Sequence, residues 1–428
     1  MNLMTMTASR RRAHDKLAAL AGVRPLRRPV LRDGGEQFDL YYVRTGRKSA
    51  HPLVIIPGGP GAASIALYRA FRRHAAVAGL DVIMVEHRGV GLSRHDDAGR
   101  DLPPEALSIE AVVDDIAAVL DDAQVNRAII YGTSYGTYLA AGVGVRHPAR
   151  VHAMVLDSPL LSADADISEV RAQIRRVLWA GTDGDGAELA AKVRRLVAEG
   201  LFDPPAVLRA AGIYGIAGPQ VLRRQLDLLL AGHDWLWAAV GLGTRLLLER
   251  ETPYHHEPDL VERIAYRELN YGAEPDGGPI DPALALREIA VGDVDFAAEP
   301  YDLISAMPGF TWPTAVISGG RDLTTPPAVA RRIADLIPGS ALVELPTAGH
   351  SILDTRERAA LHICRAMSTG AVGQLSSRSA ELDALPANLT MRLLVRGIAI
   401  AARAEAVVPD AVPRVVRQAT SFMKPIAV

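Results

Sequence analysis

Short, continuous apolar runs alternate along the chain with longer stretches in which apolar residues recur every three or four positions. LVIIP at 53–57 and DVIMVEH at 81–87 are bounded by glycine and charged residues, as strands buried on both faces are. IEAVVDDIAAVLDDA, which begins at Ile109, has the spacing of an amphipathic helix and precedes the strand-like RAIIYG at 127–132. This alternation predicts βαβ units that build a mainly parallel sheet.

Antiparallel edge strands are expected at 30–31 and 38–43, and VHAMVLD at 151–157 predicts a further core strand. After about residue 162, the alternation gives way to helical patterns broken by Gly and Pro, which contain three of the four tryptophans. The strand rhythm returns with TAVISGG at 314–320. We therefore predict a split α/β core at 1–161 and 306–367, a helical lid at 162–305, and a C-terminal extension at 368–428 to which we assign no role.

The composition and net charge indicate which classes of substrate and binding partner to expect. The chain has 428 residues, long enough for one large α/β core with an insertion, and its 49% hydrophobic and 22% charged residues are typical of globular proteins. A net charge of -2 gives no reason to expect nucleic acid or an anionic membrane as a partner. A small molecule or a short peptide, neutral or weakly charged, is the substrate class that fits this composition. The sequence leaves the oligomeric state open.

The single cysteine, Cys364, excludes an internal disulfide and a cysteine-built metal site, so we expect a cytoplasmic protein. The basic start MNLMTMTASRRRAHDK is followed by an apolar stretch, 17–23, that is too short for a secretory signal, although it leaves an organelle transit peptide as an alternative. Arg392 and Arg396 interrupt the apolar stretch 389–402, whereas a membrane-spanning helix needs about 20 apolar residues. We expect no membrane association.

The strongest chemical signal is Gly132-Thr133-Ser134-Tyr135-Gly136, which directly follows a predicted strand and directly precedes a helical pattern. A tight strand-to-helix turn holds the serine in a strained conformation, and side chains two positions before and after it would collide. Such a turn raises the hydroxyl above the edge of the sheet. Ser134 is therefore the predicted nucleophile.

A serine needs a base within hydrogen-bond reach and a third group that orients the base. Asp322 in SGGRDLTTPP follows the strand TAVIS, and His350 in PTAGHS follows the run ALVEL, so both are expected at the carboxyl edge of the sheet. Asp157 in VLDSP also ends a strand and is the alternative acid. The sequence predicts a Ser134, Asp322 and His350 triad.

The oxyanion of an acyl-transfer reaction needs two preorganised N–H donors. The amide of Tyr135 is the first candidate, and Gly59, within the glycine-rich bend at 57–61, offers the second. A phosphate-binding loop would require a following Lys-Ser/Thr pair, which this bend lacks.

These motifs together carry a family resemblance. GGPG, VEHRGVGLS, YGTSYGTYLA, SGGRDLTTP and AGHS resemble the proline iminopeptidase and tripeptidyl aminopeptidase branch of the α/β-hydrolases, over roughly residues 36–366. The resemblance implies the α/β-hydrolase fold, with a mainly parallel eight-stranded sheet, helices on both faces and a helical lid after the sixth strand. Pro57 and Glu86 stand where family members usually have His or Gln and Asp. The resemblance also implies that Arg88, Gly89 and Ser93 form a structural turn.

The resemblance further implies that a lid carboxylate holds the terminal ammonium of a peptide. Glu257, Glu262 and Glu268 are the candidates, and a solvated charge on a helix face is the alternative for each. Tryptophans of the lid are candidates for an apolar pocket or for plain packing, with Trp235 the one predicted to bind substrate and Trp179 and Trp237 the others. His255, His256 and Glu257 lack the spacing of a helical metal site, so we expect neither a metal nor a cofactor.

The leading hypothesis is a serine hydrolase that passes through an acyl-enzyme on Ser134 and, by the resemblance, releases N-terminal residues from short peptides. A carboxylesterase or amidase is the alternative, because the same triad hydrolyses esters. A non-catalytic binding protein with the same fold is the hypothesis from another class.

Overall fold

The computed structural model describes residues 6–182, 186–248, 252–290 and 295–407. Its centre is an eight-stranded sheet in the order β1-β2-β4-β3-β5-β6-β7-β8. Strands β1 and β2 are antiparallel to each other, and β2 is antiparallel to β4. From β4 to β8 in this order, each pair of neighbouring strands is parallel. The strands are β1 (Val23–Pro29), β2 (Gln37–Thr45), β3 (Leu53–Ile56), β4 (Val82–Val85), β5 (Ala128–Thr133), β6 (Val151–Asp157), β7 (Thr314–Gly319) and β8 (Ala341–Leu345).

The central strands form where the sequence has continuous apolar runs. Every residue of β3, β4, β5 and β7 is buried, as expected for strands covered by helices on both faces. Their side chains alternate between two layers: Val54 and Ile56 belong to one hydrophobic cluster, whereas Leu53 and Ile55 belong to the other. The predicted mainly parallel sheet is confirmed.

The first edge strand was predicted at the wrong place. It lies at Val23–Pro29, not at 30–31, and pairs with β2 from Val23 opposite Val43 to Pro29 opposite Gln37. Its sequence, VRPLRRP, carries no apolar run because an edge strand faces solvent and tolerates proline. The hydrophobic pattern therefore could not locate it.

Helices cover both faces of the sheet. One cluster joins the sheet to α3, α4 and α13, and the other joins it to α2 and α15. The helices are α1 (Ala8–Ala18), α2 (Arg69–Val77), α3 (Ile109–Asp122), α4 (Tyr135–Arg146), α5 (Ala163–Arg175), α6 (Gly186–Ala198), α7 (Pro204–Ala217), α8 (Pro219–Leu230), α9 (Trp235–Leu248), α10 (Pro258–Leu269), α11 (Pro282–Ile289), α12 (Leu303–Ala306), α13 (Pro327–Leu336), α14 (Ile352–Thr355), α15 (Glu357–Ser368), α16 (Ser379–Asp383) and α17 (Leu389–Glu405).

A run of helices follows the sixth strand, as predicted. Helices α5 to α9 share a hydrophobic cluster of their own, which includes Ile174, Leu196, Val207, Leu222 and Trp237. Helix α10 differs, because its apolar residues pack into the cluster on one face of the sheet. Residues 183–185, 249–251 and 291–294 of the predicted lid lie outside the described residues.

The C-terminal extension has two parts within the described chain. Val372, Leu375 and Leu382 pack into the sheet cluster, whereas α17 packs against α8 and α9, which belong to the predicted lid. Residues 408–428 of the predicted extension lie outside the described residues. Among the helices described, none has the length and apolarity to cross a bilayer.

Candidate active site

Ser134 lies at a strained bend between β5 and α4. Its backbone has φ 51° and ψ -126°, a conformation that is uncommon for a residue with a side chain. A β-carbon at Gly132 would lie 2.1 Å from the Gly136 carbonyl oxygen, and one at Gly136 would lie 2.3 Å from that of Ile56. Only glycine fits at these two positions, which explains why the bend needs the spacing seen in the sequence.

Asp322 and His350 are brought together at the carboxyl edge of the sheet. His350 Nδ1 lies 2.8 Å from Asp322 Oδ2. The carboxylate is fully buried and also accepts hydrogen bonds from the Thr324 amide at 2.8 Å, the Thr325 amide at 2.9 Å and the Thr325 hydroxyl at 2.9 Å. A carboxylate fixed in this way orients the imidazole and leaves Nε2 as the nitrogen available to a nucleophile.

The two groups shift each other's pKa in opposite directions. Burial raises the pKa of Asp322, but attraction to His350, the hydrogen bond between them and the threonine amides outweigh burial, so the net pKa is lowered. Burial lowers the pKa of His350, but attraction to Asp322 and their hydrogen bond outweigh it, so the net pKa is raised. The arrangement therefore favours an imidazole that gains a proton.

Hydrogen bonds between their neighbours hold Ser134 and His350 in one region. Thr133 Oγ1 donates to Ser351 Oγ at 2.9 Å, and the Ser134 amide donates to the Asp157 carbonyl oxygen at 2.9 Å. Within the described residues, Ser134 Oγ and His350 form no direct hydrogen bond. Catalytic hydrogen bonds are often long or poorly aligned before substrate binds, so the neighbours' contacts are the relevant restraint.

Asp157, the alternative acid, has other partners. Its carboxylate accepts hydrogen bonds from the Tyr131 hydroxyl at 3.0 Å, the Ile352 amide at 3.2 Å and the Leu353 amide at 3.0 Å. Burial raises the pKa of Asp157 to about 6. In the described chain it makes no hydrogen bond to His350, so its contacts hold the segment after His350 against the sheet.

The predicted oxyanion donors lie on two elements that meet at Ser134, the glycine-rich bend and α4. A β-carbon at Gly58 would lie 3.1 Å from the Ser134 β-carbon, so the glycine-rich bend packs directly on the serine. The next residue, Gly59, has φ 123°, a backbone conformation that favours glycine. Tyr135 begins α4, and the first amides of a helix have no partner within the helix. Both N–H groups are thus positioned by elements that meet at Ser134.

The family model of the alpha/beta hydrolase fold matches residues 51–196. This range contains the glycine-rich bend, the RGVGLS turn and Ser134. The chain therefore has the α/β-hydrolase fold. The predicted resemblance is confirmed at this level, with the eight-stranded sheet and the helices that follow its sixth strand.

Curated relatives of this α/β-hydrolase include two probable proline iminopeptidases. The one from Streptomyces coelicolor is 24% identical over 137 residues, which is 32% of this chain and 41% of the relative. The one from Leptolyngbya boryana is 26% identical over 117 residues, which is 27% of this chain and 34% of the relative. The chain thus spans well under half the length of these relatives.

Solved structures similar to this chain are named for different activities. The proline iminopeptidase of Mycobacterium smegmatis is 19% identical with a TM-score of 0.49, covering 81% of this chain and 100% of that one. A thermophilic esterase from Thermogutta terrifontis is 17% identical with a TM-score of 0.45, covering 81% and 98%. At these TM-scores, neither likeness carries information on the activity of this chain.

Glu86, which stands where the resembling family usually has aspartate, connects two loops of the fold. Its carboxylate accepts hydrogen bonds from the Ser64 amide at 2.6 Å, the Ile65 amide at 3.0 Å and the Leu92 amide at 3.3 Å. Burial raises the pKa of Glu86 to about 7. The carboxylate therefore ties the segment after the glycine-rich bend to the RGVGLS turn.

The predicted turn residues have structural contacts. Arg88 Nε donates to Asp115 Oδ2 at 2.7 Å, and Ser93 Oγ accepts the Tyr41 amide at 2.8 Å. The Gly89 amide donates to the Ser93 carbonyl oxygen at 3.0 Å. These bonds join the turn to α3 and β2.

Glu257, just before α10, forms hydrogen bonds that stabilise the glycine-rich bend. Its amide donates to the Gly61 carbonyl oxygen at 2.9 Å, and the Ala63 amide donates to the His255 carbonyl oxygen at 2.9 Å. The Glu257 carboxylate is fully buried and accepts hydrogen bonds from the Gly91 amide at 2.5 Å and from Arg10 Nη2 at 2.5 Å. Glu257 therefore connects α1, the RGVGLS turn and the bend, and these contacts do not support the predicted ammonium site at this residue.

The Glu257→Gln variant should be less stable. Breaking a buried ion pair leaves Arg10 without its charged partner, and we expect the free energy of unfolding to fall by about 3 kcal/mol. Denaturant unfolding measures the change. The matched control is Glu381→Gln, which removes an exposed ion pair to Arg378 and should leave stability nearly unchanged. Equal stability of both variants and the native chain would contradict this stabilising role.

Glu268, on α10, interacts with the start of α3 and acts electrostatically on Tyr135, the residue after the predicted nucleophile. Its Oε2 accepts the Ile109 amide at 3.0 Å, and burial raises its pKa. Burial and then the charge of Glu268 raise the pKa of the Tyr135 hydroxyl well above its ordinary range. Glu262 lies elsewhere on α10, where burial and then its charge raise the pKa of Tyr266.

The tryptophans of the lid contribute to packing. Trp235 packs against the cluster formed by Leu228, Leu236 and Ala402 of α17, and its amide donates to Glu405 Oε1 at 2.9 Å. Trp237 and the partly buried Trp179 belong to the lid's own hydrophobic cluster. These contacts do not support the predicted role of Trp235 in binding substrate, because they direct it toward the C-terminal helix.

Asp166 was not predicted from the sequence. Its Oδ2 accepts the Leu161 amide at 2.7 Å, while Oδ1 is buried and has no hydrogen-bond partner within the described residues. Burial raises its pKa to about 7, and its charge contributes to the raised pKa of the buried Tyr271. In the sequence it lies in ADADISE, which is an ordinary helix start, so nothing marked it. Within the described chain, no cluster of three or more His, Cys, Asp or Glu side chains could hold a metal ion.

Proposed function

We propose that this α/β-hydrolase is a serine hydrolase that forms an acyl-enzyme on Ser134. The observation that carries the proposal is the 2.8 Å contact between His350 Nδ1 and Asp322 Oδ2, joined to the Ser134 bend through the bond from Thr133 to Ser351. The raised pKa of His350 suits a base that accepts a proton as the serine attacks.

The proposed reaction has two halves. Ser134 Oγ attacks the substrate carbonyl carbon and its proton passes to His350 Nε2, while the amides of Gly59 and Tyr135 donate to the new oxyanion. His350 then gives this proton to the leaving amine or alcohol, and the acyl-enzyme remains. Water then gives a proton to His350 and attacks the acyl carbon. The acid leaves as His350 returns that proton to Ser134 Oγ, which regenerates the serine and the neutral base.

We further propose an aminopeptidase acting on short peptides. The two curated relatives named above are probable proline iminopeptidases, and the partly buried carboxyl groups of Glu268 and Asp166 are of the kind that a terminal ammonium requires. A partly desolvated carboxylate holds an ammonium more strongly than an exposed one does. Glu268 is the proposed ammonium partner, because burial and then its charge raise the pKa of Tyr135, the residue that follows Ser134. Asp166 is the second candidate, because its buried Oδ1 has no hydrogen-bond partner within the described residues.

Substrate comparison tests this class. We expect turnover of prolyl and alanyl anilides, and loss of turnover when the amine of either is acetylated. Unchanged turnover of the blocked anilides would contradict the aminopeptidase proposal. Hydrolysis of short acyl esters without hydrolysis of either free-amine anilide would instead support a carboxylesterase. Absence of hydrolysis, together with binding of the same compounds, would support a non-catalytic binding protein.

The Glu268→Gln variant should lose selectivity for a free amine. Removing one charged hydrogen bond to the ammonium should lower kcat/KM for the free-amine anilide roughly 10- to 100-fold. Turnover of a short acyl ester should change little, which controls for the bond from Glu268 to Ile109. Asp166→Asn is measured beside it, and Glu262→Gln is the matched control on the same helix. If the ratio of anilide to ester turnover stays native in Glu268→Gln, this residue is not the ammonium partner.

A further inference from the structure

One face of α17 is packed on the lid. Ala402 and Glu405 are each 1% exposed, and Ile398 packs with Leu228 and Leu236 of the lid helices. Glu405 Oε1 accepts the amide of Trp235 at 2.9 Å, which satisfies a donor at the start of α9. The orientation of α17 about its own axis is therefore fixed by its inner face.

The outer face of α17 carries a row of exposed apolar residues. Leu389, Leu393 and Ile400 follow at helical spacing and are 61%, 55% and 64% exposed, and Val407 just beyond the helix is 80% exposed. Single exposed apolar residues are ordinary on a protein surface, whereas a row of this kind along one helix face indicates an interaction site. Helix α17 thus carries apolar residues on two opposite sides, and the lid covers only one of them.

Basic residues accompany the exposed row. Arg392, Arg396 and Arg403 are all exposed and lie at positions that share the outer face with Leu393 and Ile400. Acidic residues are absent from this face of the described helix, since Glu405 is its single acid and is buried. Interleaved Leu, Ile and Arg side chains are typical of helices that lie in a membrane interface.

The charge of the whole C-terminal segment agrees with this face. Residues 386–428 contain six basic and two acidic side chains, a net charge of +4, while the complete chain has a net charge of -2. The part beyond Val407 adds Arg414, Arg417 and Lys424, together with apolar residues such as Phe422 and Ile426. This end of the chain therefore carries a net positive charge, in contrast to the chain as a whole.

Contrary to the expectation drawn from the net charge of the whole chain, we infer that the outer face of α17 docks on the surface of a bilayer that contains anionic phospholipid. The leucine and isoleucine side chains enter the boundary between headgroups and acyl chains, and the arginines contact lipid phosphates. The positive charge of this face argues against a second copy of the chain or its own C-terminal segment as the binding partner. A second copy of this face would bring arginines against arginines, and the basic segment 408–428 would do the same. A nucleic acid would bind the arginines but would leave the apolar row uncovered.

Sedimentation with vesicles tests the proposal on the complete chain. We expect the native protein to sediment with vesicles of mixed phosphatidylglycerol and phosphatidylcholine, and to stay in the supernatant with phosphatidylcholine alone or in high salt. Replacing Arg392, Arg396 and Arg403 together by Gln should weaken binding at least about 10-fold, since each basic residue near an anionic surface contributes several-fold in affinity. Leu393→Gln with Ile400→Gln should weaken it similarly.

Matched controls use exposed residues of other elements. Arg47, Arg69 and Arg73, replaced together by Gln, and Val77→Gln, which changes a residue 89% exposed on α2, should leave vesicle binding native. Thermal unfolding shows that each variant folds. Three results would overturn the proposal: no sedimentation with anionic vesicles, equal binding by the α17 variants and their controls, or a concentration-dependent dimer that Leu393→Gln abolishes without any vesicle binding. Retention of duplex DNA in place of vesicles would overturn it as well.

Discussion

The Ser134→Ala variant should lose covalent labelling by a fluorophosphonate probe, and its hydrolytic rate should fall roughly 10⁶-fold. The methyl group cannot attack a carbonyl carbon or a phosphonate, and no other hydroxyl takes the position that the bend with φ 51° gives to Ser134. The oxyanion donors and substrate contacts would still leave a residual rate above that in water. Mass spectrometry of the labelled native protein should map the adduct to the peptide that contains Ser134.

A second serine provides the control for labelling. Ser340 lies between α13 and β8, where its hydroxyl donates to the Ala334 carbonyl oxygen at 3.0 Å, so Ser340→Ala should label and hydrolyse as the native chain does. An adduct on any other residue, or undiminished hydrolysis by Ser134→Ala, would refute the acyl-enzyme proposal. A labelled native protein that hydrolyses none of the offered substrates would leave the nucleophile in place and would shift the question to the substrate class.

Local rules explain why the Ser134 bend could be located from the sequence. Glycine is required at 132 and 136, because a β-carbon there would lie 2.1 or 2.3 Å from a backbone oxygen. The sequence of only five residues therefore indicates the bend. The central strands were predictable for a related reason, because burial on both faces requires apolar residues at every position. The edge strand β1 could not be predicted in this way, because one of its sides faces solvent and does not require apolar residues.

Contacts between distant segments could not be predicted in this way. Arg10 and Glu257 are 247 residues apart, and nothing near either residue indicates that they form a buried pair. Glu257 accordingly resembled a solvated helix-face acid in the sequence. Asp166 and the inner face of α17 present the same difficulty, since their burial depends on elements far along the chain. The sequence therefore indicated the proposed catalytic residues more clearly than the buried residues that hold the surrounding elements together.

The Asp322→Asn variant should lower kcat about 10⁴-fold without removing labelling at Ser134 entirely. An amide cannot stabilise the imidazolium, and its NH₂ group can hold His350 in the wrong tautomer. Asp157→Asn is the matched comparison, because Asp157 is also a buried acid at the end of a strand. It should lower stability through its contacts to Ile352 and Leu353, while the activity of the folded protein changes much less. The reverse pattern of activities would identify Asp157 as the acid.

The pH dependence of the same variant gives an independent measurement. A base must be neutral, so kcat/KM of the native enzyme should rise with pH through the pKa of free-enzyme His350. Because Asp322 raises that pKa, the midpoint should lie above the ordinary histidine value of about 6.5. In Asp322→Asn the attraction is lost and burial, which lowers the pKa, remains, so the midpoint of the residual activity should move to lower pH. A midpoint that stays in place would mean that Asp322 does not act on the base.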